Sequence, residues 1–515
     1  MTVRENSSAP ESAAGVGWAW AVGLTVLLTA ARLVAIRLSP LQLYPDEAQY
    51  WLWSRHLDFG YFTKPPLVAW LIAATTLFSS AEPLVRLSSP LLHGAAGLFL
   101  YRAARRLYDD ERIALYSLLV YGLTPAVQLG SFVVSTDTPL IACLAGALWA
   151  YASLMAEPAR RRWVPAGWLG LMLGLAFLAK YAALYAALGI AAHSALDRSA
   201  RKAWSPPAIA AALAGFTLMA APNLVWNLAH RLAAFGHLTQ EAAWGSRKGG
   251  IGEAAGFLGS QFGVFGPVPF AVLLGGAIWL GVRRRLSGPD LLLVCWAAPA
   301  LLIVLGQAFM AGAKANWAAA AFAPGSILVA AWMLRWGRPK LLTFVLAAHA
   351  VFALGALAVV LAPPLADRVG LWKALRGVRG GREETEMLIG QAKTQQLAGP
   401  LTAVAIDERE LFNIVAYYGR DYFGHDGPPL KAWLAGPYPQ NQAELVAPLT
   451  PADGARVLAV SRDGVHDAAM KAEFRSAGAT SIARLWLGHQ TLRMDLFVGE
   501  GFQGPARPAP LAQSS

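Results

Sequence analysis

Residues 341–361 read LLTFVLAAHAVFALGALAVVL, twenty-one consecutive positions without a charged side chain. As a helix rising 1.5 Å per residue, such a run is about 30 Å long, the thickness of a bilayer's hydrocarbon core. A helix in water keeps a polar face, and this one has none, so its solvent is lipid. Windows 24–36, 166–179 and 208–225 repeat the pattern with almost no charge. Over all 515 residues 56% are apolar and only 14% charged, where a soluble domain carries about a quarter charged.

Read outward from that run, the chain predicts spans near 18–37, 84–101, 113–131, 139–155, 163–179, 181–196, 206–224, 256–282, 290–311, 316–334 and 340–361. The segment 66–78 is apolar but short, which suits a re-entrant or interfacial helix. Nineteen Trp and fourteen Tyr fit a protein anchored at two membrane–water interfaces.

The net charge of +12 could suggest nucleic acid, but the basic residues cluster between spans and read as topology. Five short connections hold sixteen positive charges: Arg102, Arg105, Arg106 and Arg112; Arg160, Arg161 and Arg162; Arg198, Arg201 and Lys202; Arg283, Arg284 and Arg285; Arg335, Arg338 and Lys340. The alternate connections hold seven: Arg55, Lys64, Lys180, Arg231, Arg247, Lys248 and Lys314. The positive-inside rule puts the first set and the N-terminal tail 1–17 in the cytoplasm, and loops 38–83 and 225–255 outside. Arg32, Arg37 and Arg86 run against this count, through either snorkelling or function. The first apolar run reads as an anchor, since no cleavage site follows it. Cys143 and Cys295 both fall inside spans, so neither a structural disulfide nor a metal-ligand spacing is expected.

After an odd number of spans the tail 363–515 lies outside. Residues 401–407 and 457–461 read as short buried strands, 485–498 as one or two strands, and 383–396 as a helix. A small α/β domain accounts for them. The fold class is therefore an α-helical polytopic membrane protein with a membrane domain over 18–362 and a small C-terminal α/β domain.

Chemistry concentrates in the first outer loop, Leu43-Tyr-Pro-Asp-Glu-Ala-Gln-Tyr-Trp-Leu-Trp-Ser-Arg-His-Leu-Asp-Phe-Gly-Tyr-Phe-Thr-Lys-Pro-Pro-Leu67. Pro45 and Asp46 suit a helix start, and Lys64 precedes two prolines that stiffen the chain. A carboxylate beside a cation at a membrane surface can take a proton from an acceptor while the cation holds a phosphate leaving group. The plainer alternatives are a helix cap for Asp46-Glu47 and a juxtamembrane anchor for Lys64. Asp137, in Ser135-Thr-Asp-Thr-Pro139, is either a cap or a member of the site. Lys180 and Lys314 are either snorkelling anchors or contacts to a lipid phosphate. His237, Arg247 and Lys248 lie in the long loop 225–255, which suits a flap over the site. No Walker loop, Gly-x-Gly-x-x-Gly, His-Glu-x-x-His or Gly-x-Ser-x-Gly occurs in a suitable context. An enzyme of this kind would take its activated substrate through the lipid.

At Tyr44-Pro-Asp-Glu-Ala-Gln-Tyr50, Gly60-Tyr-Phe-Thr-Lys-Pro-Pro-Leu67, Arg86-Leu-Ser-Ser-Pro90 and Ser135-Thr-Asp-Thr-Pro139, the chain resembles the GT-C glycosyltransferases that use polyprenyl-phosphate sugars. These include the lipid A aminoarabinose transferases, bacterial relatives of the protein O-mannosyltransferases, and rhizobial lipopolysaccharide galacturonosyltransferases. The resemblance follows the order of elements over about 18–360, with specific matching in the first 140 residues. It implies about 11–13 transmembrane helices and an inner-membrane enzyme. The implied reaction is an inverting transfer from an undecaprenyl- or similar polyprenyl-phosphate donor to lipid A, core, another glycan or a protein, on the periplasmic face. By the same resemblance Asp46 takes the catalytic acidic position, Glu47 is its partner and Asp137 is the second acidic residue. Lys64 would bind the lipid phosphate, with Lys180, Lys314 and Arg86 as further cations. Tyr44, Gln49, Tyr61 and His237 would be substrate contacts. Two positions depart from the aminoarabinose pattern: Gln49 stands where those enzymes have an arginine, and Thr63 where they have a glutamate. Phosphate binding would then use another cation.

No cofactor is required by these residues, and a divalent metal bridging Asp46 or Glu47 to phosphate is compatible with them. The expected partners are the lipid-linked sugar donor, a lipid or glycan acceptor and membrane lipids, with no nucleic acid and a monomeric state. A transporter or flippase of lipid-linked glycans is the rival, but would want charges and broken helices near the midplane. A third reading is an inactive scaffold whose tail binds envelope glycans, against which the intact acidic pair and lysine speak.

Overall fold

The computed structural model describes residues 11–230, 249–436 and 438–504. Six of its helices are long and apolar enough to cross a bilayer: Val16–Leu38, Asp137–Ala156, Pro206–Ala229, Gly288–Ala311, Ala315–Arg335 and Pro339–Leu361. Trp163–Ala179, Tyr181–Leu196 and Pro267–Val282 are apolar but shorter. The eleven expected spans fall largely on helical segments, six of them long and apolar enough to cross, and the fold class stands. Two of them are broken where the sequence carries backbone punctuation. The run 256–282 splits into Ile251–Phe265 and Pro267–Val282, because Gly266 adopts φ 99° and Pro267 cannot donate to the preceding turn. The run 113–131 splits at Thr124-Pro125 into Glu111–Leu123 and Pro125–Gly130. This second break leaves a carbonyl for Arg32: its Nη2 donates to Gly122 O at 2.5 Å, as does Gln128 Nε2 at 2.5 Å. The buried Arg32 is thus a plug for an opened helix, and it does not snorkel. The segment 66–78 contains a single short helix, Leu67–Thr75, too short to cross.

The chain divides into two compact units. One comprises the chain up to Leu38 together with Lys64–Val68 and Arg86–Leu361. Its helices touch at small residues. A Cβ on Gly170 would lie 2.0 Å from Ala212 O, and one on Gly215 would lie 2.6 Å from Gly167 O. Backbone therefore meets backbone between Trp163–Ala179 and Pro206–Ala229, as small residues permit in lipid. Because the obstacle is main chain, Gly170→Val cannot be absorbed by a rotamer. It is expected to destabilise the unit by about 3 kcal/mol, read as a lowered thermal midpoint in detergent. Gly275→Val, at an open position, should leave the midpoint in place.

The other unit joins Ser39–Thr63 and Ala69–Val85 to everything from Ala362 onward. The tail is thus not self-contained, since most of the first loop folds with it. Its sheet contains β1 (Ala403–Ile406), β2 (Leu430–Ala432), β3 (Arg456–Arg462), β4 (Phe474–Ala477), β5 (Ser481–Leu487) and β6 (Gln490–Phe502). The order is β2-β1-β3-β6-β4, with β5 also paired to β6. Strands β2, β1 and β3 run parallel, with Val404 opposite Leu430 and Leu458. β6 is antiparallel to β3. β1 is buried along its length, Ala-Val-Ala-Ile, as a central parallel strand should be. The helices Gly381–Leu397 and Arg409–Tyr418 supply Leu388, Ala392, Leu411 and Val415 to this core, and Leu52 of the first loop packs on it.

Glu384 in that first helix is buried and lies 3.1 Å from Arg462 Nη2. Burial outweighs the guanidinium and pushes its carboxyl up to about 7, from 4.5. Between those values the folded chain binds more protons than the unfolded one, so stability falls as pH rises through that window. The expected loss is on the order of 1–3 kcal/mol. Thermal midpoints taken from pH 4.5 to 7 should show this decline in the native chain and a flatter profile in Glu384→Gln.

Candidate functional site

The first loop's chemistry starts at Pro45, which opens the helix Pro45–Ser54 with no amide hydrogen to waste. Glu47 is fully buried and its Oε2 accepts the Tyr44 N–H at 2.9 Å, so it helps to start the helix. Asp46, one residue earlier, points to an open face: its side chain keeps 43% of its exposure and meets Arg409 Nη1 at 3.3 Å. The same Nη1 donates to Gln49 Oε1 at 2.6 Å, and Asn413 Nδ2 donates to that oxygen at 3.2 Å. Arg409 and Asn413 belong to the helix Arg409–Tyr418. Trp51 meets Tyr417 edge-on at 4.9 Å between the two helices.

Further stitches bind the loop to the tail within this unit. Gln42 N donates to Val378 O at 3.0 Å, Gln42 Nε2 to Glu383 Oε2 at 2.7 Å, and Leu43 N to Tyr418 Oη at 2.7 Å. Tyr418 Oη in turn donates to Glu82 Oε1 at 2.7 Å. The neighbourhood of Asp46 is acidic. Desolvation raises the Tyr44 phenol, and the charges of Asp46 and Glu410 add to it. Glu410 is raised by burial first and by Glu408 second. Tyr61 is buried, stacked on Trp53 with ring centroids 4.6 Å apart, and its hydroxyl donates to Trp53 O at 2.9 Å. It shapes the loop from within.

In the membrane unit, Asp137 opens the helix Asp137–Ala156. Its side chain does not cap that helix. Lys180 Nζ reaches Oδ1 at 2.6 Å and Asn316 Nδ2 donates to Oδ2 at 2.7 Å. Lys180 is placed by a break, with φ −163° and ψ 137°, between Trp163–Ala179 and the turn Tyr181–Ala183. Asn316 comes from the 3-10 turn Ala315–Ala321, directly after the exposed Lys314. Asp137 and Asn316 line a cavity of about 660 Å³ together with His93, Tyr121, Ser135 and Ser260. Val127, Leu129, Ile141 and Phe322 supply its apolar wall. His93 Nδ1 lies 2.8 Å from Tyr121 Oη. A carboxylate paired to Lys180, several amide and hydroxyl groups and an apolar wall in one hollow suit an amphiphilic ligand.

Lys64 and Arg86 also belong to the membrane unit, Arg86 buried and Lys64 half-buried. His237, Arg247 and Lys248, with most of the expected flap, lie outside the described residues. Among the described residues, no three His, Cys, Asp or Glu side chains converge as a metal site. Sequence reasoning missed Arg409, Asn413 and Asn316. Asn316 had a signal in the Lys314-Ala-Asn316 stretch, whereas Arg409 stood in an unremarkable Glu408-Arg-Glu410 run.

The fold of the chain matches that of a solved protein. ArnT from Cupriavidus metallidurans in the apo state aligns over 96% of this chain and 100% of its own, with a TM-score of 0.64 at 16% identity. Residues 63–226 match the family model of the dolichyl-phosphate-mannose-protein mannosyltransferases. The lipid A galacturonosyltransferase RgtD of Rhizobium johnstonii is 38% identical over 322 residues, covering 62% of this chain and 66% of that protein. The match therefore spans just under two thirds of the relative's length. The fold is thus that of ArnT, and in sequence the chain is similar to the mannosyltransferase family model and to the galacturonosyltransferase, as the resemblance to GT-C glycosyltransferases leads one to expect.

Proposed function

We propose that the protein is an inner-membrane glycosyltransferase that moves a sugar from a polyprenyl-phosphate donor to lipid A or a related envelope glycan on the periplasmic face. The observation that carries the reading is the amphiphilic cavity of about 660 Å³ at Asp137 and Asn316, with Lys180 held 2.6 Å from Asp137. Support for a lipid-phosphate donor comes from the matched mannosyltransferase model, and for the acceptor from the 38% identity to a lipid A galacturonosyltransferase.

The donor phosphate is taken by Lys180, with Lys64, Lys314 and Arg86 as further cations; each proton donated to an anionic oxygen is a charge-assisted bond. Asp46 accepts the proton of the acceptor hydroxyl. The acceptor oxygen bonds to the anomeric carbon as the bond from that carbon to the phosphate oxygen breaks. The electron pair leaves on the polyprenyl phosphate, and displacement from the opposite face inverts the anomeric centre. Glu47 sets the helix that aims Asp46, and Tyr44 and Gln49 flank the sugar. The basic connections lie in the cytoplasm, and residues 363–515 lie outside with the first loop. Membranes supplied with polyprenyl-phosphate sugar and lipid A test this. Product in the native chain and its loss in Lys64→Ala would support it, and native membranes that form no product would sink it.

A further inference from the structure

The chain just after the last apolar helix carries charged and aromatic residues that the proposed transfer does not use. Helix Pro339–Leu361 is followed by one turn of helix, Pro364–Arg368, and by the 3-10 turn Trp372–Val378. Everything from Ala362 onward belongs to one compact unit. Within that unit lies a cavity of about 130 Å³. Asp367, Trp372, Arg376 and Arg379 line one side, and residues 487–490 the other.

The local sequence builds both walls. Leu487 pairs with Gln490, so Gly488 and His489 form a two-residue turn between β5 and β6. Gly488 takes φ 60° at its first position, a conformation that such turns ask of glycine. His489 then stacks on Trp372, with ring centroids 5.5 Å apart and planes inclined by 27°. On the opposite wall Arg379 is fixed: its Nη1 donates to Asp367 Oδ1 at 2.8 Å and its Nη2 to Pro363 O at 2.7 Å. Arg376 is exposed and makes no hydrogen bond or ion pair among the described residues. Two guanidiniums against one carboxylate leave the cavity positive, and Lys373 Nζ stands 5.6 Å from the Trp372 ring centroid.

A fixed guanidinium beside a free one suits a phosphate, whose oxygens accept forked, charge-assisted bonds. Sites for whole small molecules run to roughly 300–1,000 Å³, so this smaller hollow takes a group and not a molecule. The surroundings decide what carries the group. Val369 and Leu371 are 67% and 57% exposed, eight and ten residues after the span ends at Leu361. Leaving such side chains in water costs about 25 cal/mol per Å² of apolar surface. Exposed aliphatic residues beside Trp, Lys and Arg are the composition of a membrane–water interface. A free phosphate would need the cations alone, whereas a lipid uses both.

We propose that this juxtamembrane cavity binds the phosphate of an anionic bilayer phospholipid, with Arg376 and Arg379 on its oxygens and Val369 and Leu371 against its acyl chains. None of these residues takes part in the proposed transfer, so the site stands whether or not the chain moves a sugar.

The test places the full chain in bilayers containing phosphatidylglycerol with a photoreactive head group and maps the cross-linked peptides by mass spectrometry. Label is expected on residues 364–379 and 487–490. Unlabelled phosphatidylglycerol should displace it. Phosphatidylcholine with the same acyl chains, whose choline cation opposes the guanidiniums, should compete on the order of 10-fold less well. Arg376 is exposed and unpaired, so Arg376→Gln should melt like the native chain. It should cut the label on these peptides on the order of 10-fold, with label near the basic residues 283–285 unchanged as a reference. Arg376→Lys should retain part of the label. Absence of label on these peptides, equal competition by phosphatidylcholine, or full labelling in Arg376→Gln overturns the phospholipid assignment. Displacement by millimolar inorganic phosphate as readily as by phosphatidylglycerol overturns it too, because the site would then serve a free ion.

Discussion

Membranes carrying Asp46→Asn are expected to transfer sugar on the order of 10²–10⁴ times more slowly than native membranes. On the proposed mechanism the substitution removes the acceptor of the substrate proton and little else. Asparagine keeps an oxygen for the Arg409 contact at 3.3 Å, and the anchor of that guanidinium is Gln49 at 2.6 Å. Asp46 is also too exposed for its pair to hold the helix; such a pair contributes at most about 1 kcal/mol. Expression and melting should therefore match the native chain while product formation collapses. The contrast with Glu47 sharpens the test. Glu47→Gln removes charge from a fully buried side chain that braces the Tyr44 amide, so its cost should include stability. Native rates in Asp46→Asn would remove Asp46 as the base.

A second large effect is expected at Lys180. Lys180→Met deletes the cation held 2.6 Å from Asp137 and leaves that carboxylate, itself 18% exposed, with Asn316 as its remaining side-chain partner among the described residues. Transfer should fall on the order of 10²-fold, as for loss of a donor aimed at developing charge. Stability should fall as well, by about 1–3 kcal/mol, because a partly buried charge is left uncompensated. The double variant Asp137→Asn with Lys180→Met separates the two effects. Removing both charges should recover most of the stability and none of the activity. Recovered transfer in the double variant would make Lys180 a structural partner of Asp137 and nothing more.

The membrane scaffold was legible in the sequence because hydropathy is a local property. The run 341–361 needs no partner to announce itself, and the structure has Pro339–Leu361 as one helix. The breaks at Gly266-Pro267 and Thr124-Pro125 were also written locally, but both sat inside apolar runs whose length argued for continuity. The strands over 403–406 and 456–462 showed as short buried runs. The partners of Asp46 were not legible. Arg409 lies 360 residues from Gln49, and no periodicity or motif links charges so far apart. Gln49 itself was readable as a departure, an amide where related enzymes have a cation. Only the fold shows that the amide holds a cation brought from elsewhere. Asp137 read equally well as a cap or a site residue, and the structure gives both its oxygens to Lys180 and Asn316.

The first loop's enrolment in the C-terminal unit has a consequence for biogenesis. The helix bearing Asp46 leaves the ribosome some 360 residues ahead of Arg409, Asn413 and Tyr418. Until then the acidic loop lacks the surface that gives it shape, because contacts of such separation form only after the intervening chain is made. A nascent chain thus carries the helix of Asp46 well before the residues that hold it. The shape of that loop is therefore set only once the chain has been made through Tyr418.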